Sequence, residues 1–355
     1  MKEKRDKSQY GNQKNLSTQH YLVKMLHKIL TSVDKNSKNE AFCAIVHLVD
    51  WSQAFDRQSH KLGVQSFIEN GVRPALIPVL VNFFQERKMR VKWKGHLSTL
   101  RKLNGGGPQG GTLGIEEYLS QSNDNTDFLK EDGKFKFIDD LSFLEIIYLV
   151  NVGIASYNIY AHVPSDVPTH NQIISKENLK SQEFLSKINN WTEKQKMKLN
   201  DKKTKNMIFN FSKKNQFITK LSVNDNNLEV VEETKLLGTV LTNNLSWNRN
   251  TEELVKRGFR RMNLLFKAAK FTNSKEDLKA IYLTYIRSII EQSSVVWHSS
   301  LTKRNRNDLE RVQKAAAKVI MGKNYTTYKN ALKFLRMTIL IKEEKNYAYH
   351  LQKNV

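Results

Sequence analysis

Apolar and polar positions alternate in different ways along the chain, and the changes in pattern predict its elements. An unbroken apolar run from Ala41 to Val49 is typical of a buried strand, and it ends at Asp50. A second predicted strand, Lys134 to Ile138, ends in Asp139-Asp140. Helices are predicted over residues 21–30, from after Asp56 through Glu69, and over residues 74–85, 113–121 and 179–198.

The downstream part of the chain becomes helical. After two further predicted strands, residues 206–211 and 235–241, helical spacing dominates from Thr251 onward. Ser274 with Asp277 resembles a helix-capping signature. A second domain is therefore predicted to begin near residue 248. Its apolar stripes are Leu278, Ile281, Tyr282, Tyr285, Ile286 and Ile289, and Leu309, Val312, Ala316, Val319 and Ile320.

Two segments between the predicted elements have unusual composition. Residues 88–94 alternate basic and apolar side chains, which predicts a strand with one face in the core and one basic face. Residues 105–111 contain five glycines and a proline, which predicts a loop.

Composition adds a class of partner to this picture. The 355 residues include 58 Lys and Arg against 35 Asp and Glu, a net charge of +23 that favours binding of polyanions such as nucleic acid. A single cysteine, Cys43, excludes an internal disulfide and predicts an intracellular protein of the cytoplasm, the nucleus or both. No apolar stretch predicts a membrane span.

The aspartates at the two strand ends are the candidate chemistry. Adjacent strands that end together bring carboxylates from distant parts of the chain into one place, where they can bind hard divalent cations. Because side chains alternate across a strand, we predict Asp139 as the ligand and Asp140 as secondary. An Asp-Asp pair by itself also occurs in ordinary turns, so the ordered set of motifs matters more than the pair.

That ordered set resembles the reverse transcriptases of non-long-terminal-repeat retrotransposons, of the jockey-like or LINE type. His47–Asp56 is similar to their first catalytic block, and Gly106–Gly114 and Phe137–Asp140 are similar to the second and third. The fourth block is matched by Trp191–Phe209, and the primer-grip region by residues 235–247. The similarity extends from about Gln9 to about Gly322.

The resemblance implies an α+β right-hand polymerase fold, with an antiparallel palm sheet packed on helices and an all-α thumb-like domain. It implies residues 1–40 as a remnant of the fingers and connecting helix, 41–247 as the palm with partial fingers, 248–322 as the thumb-like domain and 323–355 as a helical extension. The implied activity is template-directed deoxynucleotide transfer with two Mg²⁺ ions, or Mn²⁺, on an RNA template with a DNA primer or an RNA–DNA hybrid. Nothing in the sequence names a protein partner.

Site residues follow from the matched blocks. The implied metal ligands are Asp50, Asp139 and Asp140, with Lys203 beside the leaving pyrophosphate. The implied substrate-binding residues are Phe55, beneath the incoming sugar, and Gly107, Pro108, Gln109 and Gly110. The implied nucleic-acid contacts are Arg87, Lys88, Arg90, Lys92, Lys94, Leu237, Gly238, Lys256, Arg257, Arg260 and Arg261. Phe55 as a core aromatic and Lys203 as a solvated charge are the structural alternatives.

Departures from the family pattern leave other functions open. The second block has Gly107 and Gly111 where relatives have an apolar residue and a serine, and Ile138 is bulkier than the usual residue before the aspartates. We expect the upstream finger blocks and an endonuclease domain to be missing, as in a fragmentary element copy. The alternatives are a catalytically impaired remnant that binds nucleic acid and a metal-dependent nuclease.

Overall fold

The computed structural model describes residues 5–35, 41–107, 111–129, 133–149, 171–173, 177–211, 216–218, 221–223 and 226–340. The chain divides into two compact units. The first comprises Met1–Ser17 and Met25–Val231, and the second comprises Thr18–Lys24 and Glu232–Val355. The functional limits expected at residues 40, 247 and 322 stay predictions.

Helices and strands alternate in the first part of the chain, and helices dominate after residue 247. The helices are α1 (Thr18–Lys35), α2 (His60–Glu69), α3 (Ile77–Phe84), α4 (Thr112–Gln121), α5 (Glu177–Lys194), α6 (Asn248–Ala268), α7 (Lys275–Ile281), α8 (Ser288–Ile290), α9 (Ser294–Trp297), α10 (Lys303–Met321) and α11 (Tyr328–Leu335). The strands are β1 (Ala41–Val49), β2 (Lys88–Met89), β3 (Lys92–Trp93), β4 (His96–Leu97), β5 (Arg101–Lys102), β6 (Lys134–Phe137), β7 (Asp140–Leu149), β8 (Asn171–Ile173), β9 (Lys205–Asn210), β10 (Gln216–Ile218), β11 (Ser222–Val223), β12 (Asn226–Asn227), β13 (Glu229–Val230), β14 (Glu233–Leu236) and β15 (Thr239–Thr242).

A mainly antiparallel sheet of order β13-β9-β1-β7-β6 forms the centre of the first unit. β1 lies between β9 and β7 and pairs antiparallel with both. Consecutive residues from Cys43 to Val46 are buried, so both faces of β1 are covered, which explains its unbroken apolar sequence. One large core cluster joins the end of β1 and the start of β7 to α4 and α5. A smaller cluster contains Cys43, Ile45, Ile147 and Ile208.

A polar network lies inside this sheet. His47 of β1 is fully buried, and its two ring nitrogens form hydrogen bonds of 2.8 Å with Asn206 and 2.9 Å with Ser181. Its ring stacks on Phe143 at 5.8 Å between centroids. Burial lowers the pKa of His47 to about 4, so the imidazole is neutral at physiological pH.

The second unit combines a hairpin with packed helices. β14 and β15 pair antiparallel around a turn at Leu237 and Gly238, which have φ of 47° and 84°. α6 packs on α10, and a Cβ added at Gly258 of α6 would lie 3.0 Å from Cγ1 of Val312. The absence of a side chain at Gly258 therefore permits this close approach.

Several predictions about elements need correction. The partner of β1 on the aspartate side is β7, which the sequence did not predict, and β6 lies beyond it. The single strand predicted at residues 235–241 is a hairpin, because its middle residues turn the chain. The stripe through Tyr285 and Ile289 is broken by a π-helical turn over Tyr282–Arg287, whose wider spacing buries Ile290 and leaves Tyr285 half exposed.

The predicted α+β class is confirmed, with helices packed on a mainly antiparallel sheet followed along the chain by a mostly helical region. The cap predicted at Ser274 is also confirmed, since its side chain accepts a hydrogen bond from the backbone N–H of Asp277 at 3.2 Å. Within the described helices, none has the length and apolar character that a membrane crossing requires.

Candidate active site

The three candidate aspartates lie at one end of the central sheet. The last pair between β1 and β7 joins Val49 to Leu141. The next residues along these strands are Asp50 and Asp140, so the register places them opposite each other, where Cα atoms of paired strands are about 4.5–5.5 Å apart. Asp139 lies beside them in the two-residue turn that connects β6 to β7, closed by the pair Phe137 and Asp140.

This geometry corrects one prediction about the aspartates. Asp139 and Asp140 were expected to alternate across a continuing strand, but Asp139 lies in a turn and Asp140 begins the next strand. The residue opposite Asp50 is therefore Asp140. The assignment of Asp139 as the main ligand stays a prediction.

The aspartates are close enough to affect one another electrostatically. Desolvation raises the pKa of Asp139, and the negative charge of Asp50 raises it further. Desolvation, followed by the charges of Asp139 and Asp50, raises the pKa of Asp140 to about 6. Both side chains remain accessible to solvent, so the crowded carboxylates face outward from the sheet end. A bound cation would relieve their repulsion.

The donor set fits a magnesium-type cation only in part. In the described portion of the chain, no three His, Cys, Asp or Glu side chains converge closely enough to hold a metal ion by themselves. Mg²⁺ in polymerase-type sites takes only one or two carboxylates, and waters and substrate phosphates complete its shell. Three neighbouring aspartates and no competing soft ligand match that kind of open site.

A turn from the fourth block holds Asp50 in place. The side-chain amide of Asn200 donates to Oδ2 of Asp50 at 3.1 Å, and the backbone N–H of Asn200 donates to the carbonyl of Asp50 at 2.9 Å. The backbone N–H of Asp50 donates to Oγ1 of Thr204 at 3.3 Å. Lys203 is exposed on this same turn. Asn200 lies within the predicted fourth block, Trp191–Phe209, but its hydrogen bonds to Asp50 were not predicted.

Phe55 and the glycine-rich loop are joined through the backbone. The N–H of Gly107 donates to the carbonyl of Phe55 at 2.9 Å, and the N–H of Gly106 donates to the carbonyl of Gln58 at 2.8 Å. Gly106 has φ of +89°, and a Cβ there would lie 3.2 Å from the carbonyl oxygen of Asp56. Pro108, Gln109 and Gly110 lie outside the described residues.

Helix α4 places Tyr118 between Phe55 and the aspartates. The two rings are 5.0 Å apart between centroids, and Phe55 is partly buried against the main core. Burial first, and then the charges of Asp139 and Asp140, raise the pKa of Tyr118 well above its ordinary value. Tyr118 was not predicted as a site residue. It lies on the helix that directly follows the glycine-rich loop, which is the signal that could have identified it.

A buried polar group lies under the loop. Gln58 and Glu117 are fully buried, and within the described structure their side-chain oxygens have no hydrogen-bond partner. A Cβ at Gly107 would lie 2.1 Å from Oε1 of Gln58 and 3.4 Å from Oε2 of Glu117. Only glycine fits at position 107 without moving these side chains.

The N-terminal segment supports the turn that carries Asp139. The backbone N–H of Ile138, which has φ of 56°, donates to Oε1 of Gln9 at 2.9 Å. The same oxygen accepts from the N–H of Gly11 at 2.8 Å. The segment also bonds along β6, with Tyr10 N–H donating to the carbonyl of Lys136 at 2.8 Å. Residues 1–40 were predicted only as a remnant of the fingers and connecting helix, and this support was not predicted.

The predicted nucleic-acid residues fall into three groups. Lys88, Arg90, Lys92 and Lys94 are exposed along two short strands and the residues beside them, whereas Arg87 is partly buried with its guanidinium 5.1 Å from the centroid of the Phe83 ring. Met89, Val91 and Trp93 are exposed as well, so the prediction that one face of this segment is core is wrong. Leu237 and Gly238 form the β14–β15 turn, where a Cβ at Gly238 would lie 2.2 Å from Nε2 of Gln292.

The third group is on α6. Lys256, Arg260 and Arg261 are exposed, whereas Arg257 is partly buried and donates to Oε1 of Gln292 at 3.2 Å. Gln292 thus connects Arg257 to the Leu237–Gly238 turn. The functional roles of all three groups stay predictions.

Comparison with known proteins agrees with the matched blocks. The chain is 22% identical over 304 residues, 85% of its length, to the "Probable RNA-directed DNA polymerase from transposon BS" of Drosophila melanogaster. The chain is related to a transposon RNA-directed DNA polymerase. The match to this transposon polymerase confirms the predicted resemblance to retrotransposon reverse transcriptases. The matched region spans 31% of that relative's length.

Solved structures give more distant likenesses. An apo telomerase from Candida tropicalis has a TM-score of 0.46 at 14% identity, covering 92% of this chain and 50% of that one. A telomerase from Candida albicans in complex with a fragment of telomeric RNA has a TM-score of 0.39 at 11% identity, covering 91% and 53%. These scores are too low to assign a function. No family model matches the chain.

Proposed function

We propose that this polymerase relative performs template-directed transfer of deoxynucleotides, with RNA as template and a DNA primer or RNA–DNA hybrid as the strand that is extended. The observation that carries the proposal is the register of β1 and β7, which places Asp50 opposite Asp140 with Asp139 in the adjoining turn. This arrangement gathers three carboxylates from two distant sequence blocks at one accessible edge.

The residues of the chain would act mainly by positioning. Asp50, Asp139 and Asp140 would hold two divalent cations, Mg²⁺ or Mn²⁺. When bound, such ions lower the pKa of the attacking hydroxyl and stabilise the departing pyrophosphate. Asn200 fixes the orientation of the Asp50 carboxylate, and exposed Lys203 on the same turn is the candidate that neutralises the pyrophosphate.

Phe55 and the glycine-rich loop would select and seat the incoming nucleotide. Tyr118 packs against the ring of Phe55, and the bond from Gly107 fixes the Phe55 backbone, so the ring would be positioned to exclude a 2′-hydroxyl. Absence of a side chain at Gly106 and Gly107 lets the loop pack against Asp56 and Gln58, and the loop held in this way would support the nascent base pair. Basic side chains on both units would contact phosphates without reading sequence. The lone buried Cys43 is consistent with an intracellular site of action.

Primer extension tests the proposal. Purified protein is incubated with an RNA template, an annealed DNA primer, labelled deoxynucleotides and Mg²⁺. We expect incorporation by the unmodified chain and at least a hundredfold loss in Asp50→Asn and Asp139→Asn, since each removes a charge that the cations require. Asp308→Asn changes the charge equally on α10 and serves as the control. Extension that persists in both site variants would overturn the assignment.

The second candidate is a protein that binds nucleic acid without catalysis, favoured by the net charge of +23. It predicts no incorporation by any variant, with hybrid binding that weakens as salt rises. The extension assay and a binding assay on the same preparations separate the two functions.

A further inference from the structure

Residues 88–102, here named the basic arm, extend from the first unit as a ribbon without a core of its own. β2 pairs with β5 and β3 pairs with β4, and a turn at Lys94 and Gly95, with φ of 45° and 87°, closes the tip. Every residue of the arm is exposed. An isolated two-stranded ribbon is only marginally stable in water, so the arm gains from a partner that covers it.

Apolar and basic side chains are interleaved along the arm. Met89, Val91 and Trp93 occupy alternate positions along one strand, and Trp93 is 71% exposed near the tip. The intervening positions are Lys88, Arg90 and Lys92. Across the ribbon, Arg101 lies opposite Met89 and His96 lies opposite Trp93, so a basic side chain and an imidazole stand beside the exposed apolar ones on the same face.

Charge within the arm is unbalanced. The arm contains six Lys and Arg and no Asp or Glu, and the register sets Lys88 directly opposite Lys102. Like charges at opposing positions repel each other. Glu86 at the base of the arm forms a 2.6 Å ion pair with Lys102. Lys94 lies 6.0 Å from the centroid of the Trp93 ring, so a cation accompanies the exposed aromatic at the tip.

We propose that the basic arm binds single-stranded nucleic acid, with Trp93 stacking on an unpaired base while the arm's cationic side chains contact the neighbouring phosphates. Stacking platforms interleaved with basic residues are the usual way in which proteins hold single strands without reading their sequence. A duplex offers the phosphates but not the face of an unpaired base. The inference deepens the proposed function, because the unpaired template ahead of the primer is a single strand of this kind.

The test measures binding in the absence of nucleotides. A fluorescein-labelled, unstructured RNA strand and a blunt duplex of equal length are titrated with the full chain, Trp93→Ala, Trp93→Phe and Phe271→Ala. Phe271, which is 89% exposed outside the arm, is the control for loss of a surface aromatic. We expect Trp93→Ala to weaken single-strand binding roughly tenfold, Trp93→Phe to retain most of the affinity and Phe271→Ala to change nothing.

The lysines are tested through salt dependence. For single strands, the double variant Lys92→Gln with Lys94→Gln is expected to reduce the magnitude of the negative slope of log K against log salt by roughly 0.7 for each lysine replaced. Trp93→Ala is expected to leave this slope unchanged. The affinity for the blunt duplex is expected to be the same in Trp93→Ala as in the unmodified chain. Equal losses in Trp93→Ala and Phe271→Ala, or binding of phosphatidylserine vesicles that depends on Trp93 in place of RNA binding, would overturn the proposal.

Failure of this inference and failure of the proposed function give different results. If the unmodified chain binds single strands through Trp93 but incorporates no nucleotide, the arm's role stands and the polymerase proposal fails. If extension is intact and depends on Asp139 while Trp93→Ala binds RNA normally, the arm inference fails alone.

Discussion

Glu117 is a carboxyl group enclosed by protein beneath the glycine-rich loop, and among the described residues nothing donates a hydrogen bond to its oxygens. Burial raises its pKa to about 7 from an ordinary value of 4.5, against a smaller opposing effect of the Arg87 charge. The folded state therefore holds the proton more tightly than the unfolded state does. The stability that this provides is complete below pH 4.5 and is lost as pH rises to about 7.

Replacement of Glu117 by Gln should remove this pH dependence. A neutral side chain of the same shape mimics the protonated acid, so we expect Glu117→Gln to match the unmodified protein at pH 4.5. At pH 8 it should exceed the unmodified protein by about 2–3 kcal/mol in free energy of unfolding. Urea unfolding at the two pH values measures the difference.

The neighbouring residue on α4 provides the control. Glu116 forms an ion pair with Arg5 and accepts a hydrogen bond from Asn12 at 2.9 Å, so Glu116→Gln should destabilise slightly at pH 8. If Glu117→Gln lowers stability at pH 8 as Glu116→Gln does, then the carboxylate of Glu117 is stabilised in the fold and the proposed cost of its burial is wrong.

At the scale of elements, the N-terminal segment is joined to the sheet by a buried ion pair. Nζ of Lys136 in β6 lies 2.6 Å from Oδ2 of Asp6, and both side chains are less than one-tenth exposed. Burial alone would raise the pKa of Asp6, but the charge and hydrogen bond of Lys136, with bonds from Ser8, lower it to about 2. The segment that holds the Asp139 turn thus depends on this pair.

Loss of one partner should be costly. Among the described residues, Asp6→Ala leaves the ammonium of Lys136 buried with the carbonyls of Ser122 and Asn123 as its acceptors, at 3.4 and 3.2 Å. We expect a loss of about 3–5 kcal/mol in free energy of unfolding. Glu183→Ala, which breaks the exposed pair with Lys187 on α5, should cost under about 0.5 kcal/mol. Equal effects of the two variants in chemical denaturation would contradict the buried-pair account.

The elements also show which features a sequence can reveal. β1 was predictable because its two faces are both buried, which leaves a continuous apolar run that ends at Asp50. β7 was not, since Ser142 and Glu145 interrupt its apolar pattern although both are buried. The Leu237–Gly238 turn was missed because leucine with positive φ is rare in proteins and is fixed here by the hairpin. The basic arm has strand-like alternation but no core to face.

The candidate site also has features that the sequence predicts and features that depend on tertiary structure. The order of the blocks gave Asp50, Asp139 and Asp140 as candidates, because a family motif preserves residue types. Register decided which aspartates face each other, and register depends on pairing between strands about 90 residues apart in sequence. Hydrogen bonds such as that of Gln9 with Ile138 cross still longer separations, and no local pattern encodes them.

At the scale of the whole molecule, a net charge of +23 leads us to expect strong and salt-dependent binding of any nucleic acid. The positions of the basic residues, as well as their total number, are expected to affect nucleic-acid binding. Lys256, Arg260 and Arg261 are exposed on α6, where the spacing of four residues sets Lys256 beside Arg260, and Arg261 follows about 100° farther around the helix. A phosphate backbone that follows α6 would meet all three together.

Neutralisation of these three residues should therefore reduce binding more than an equal change of charge elsewhere. For an RNA–DNA hybrid, we expect the triple variant Lys256→Gln, Arg260→Gln and Arg261→Gln to reduce the magnitude of the negative slope of log K against log salt by roughly 2–3. This corresponds to about 0.9 for each phosphate that is no longer neutralised. The matched variant replaces exposed Lys314, Lys323 and Lys329 by Gln, with the same net charge, and should change the slope by less than about 0.9. Identical slopes for the two triple variants would mean that only the total charge of the molecule, and no surface on α6, binds nucleic acid.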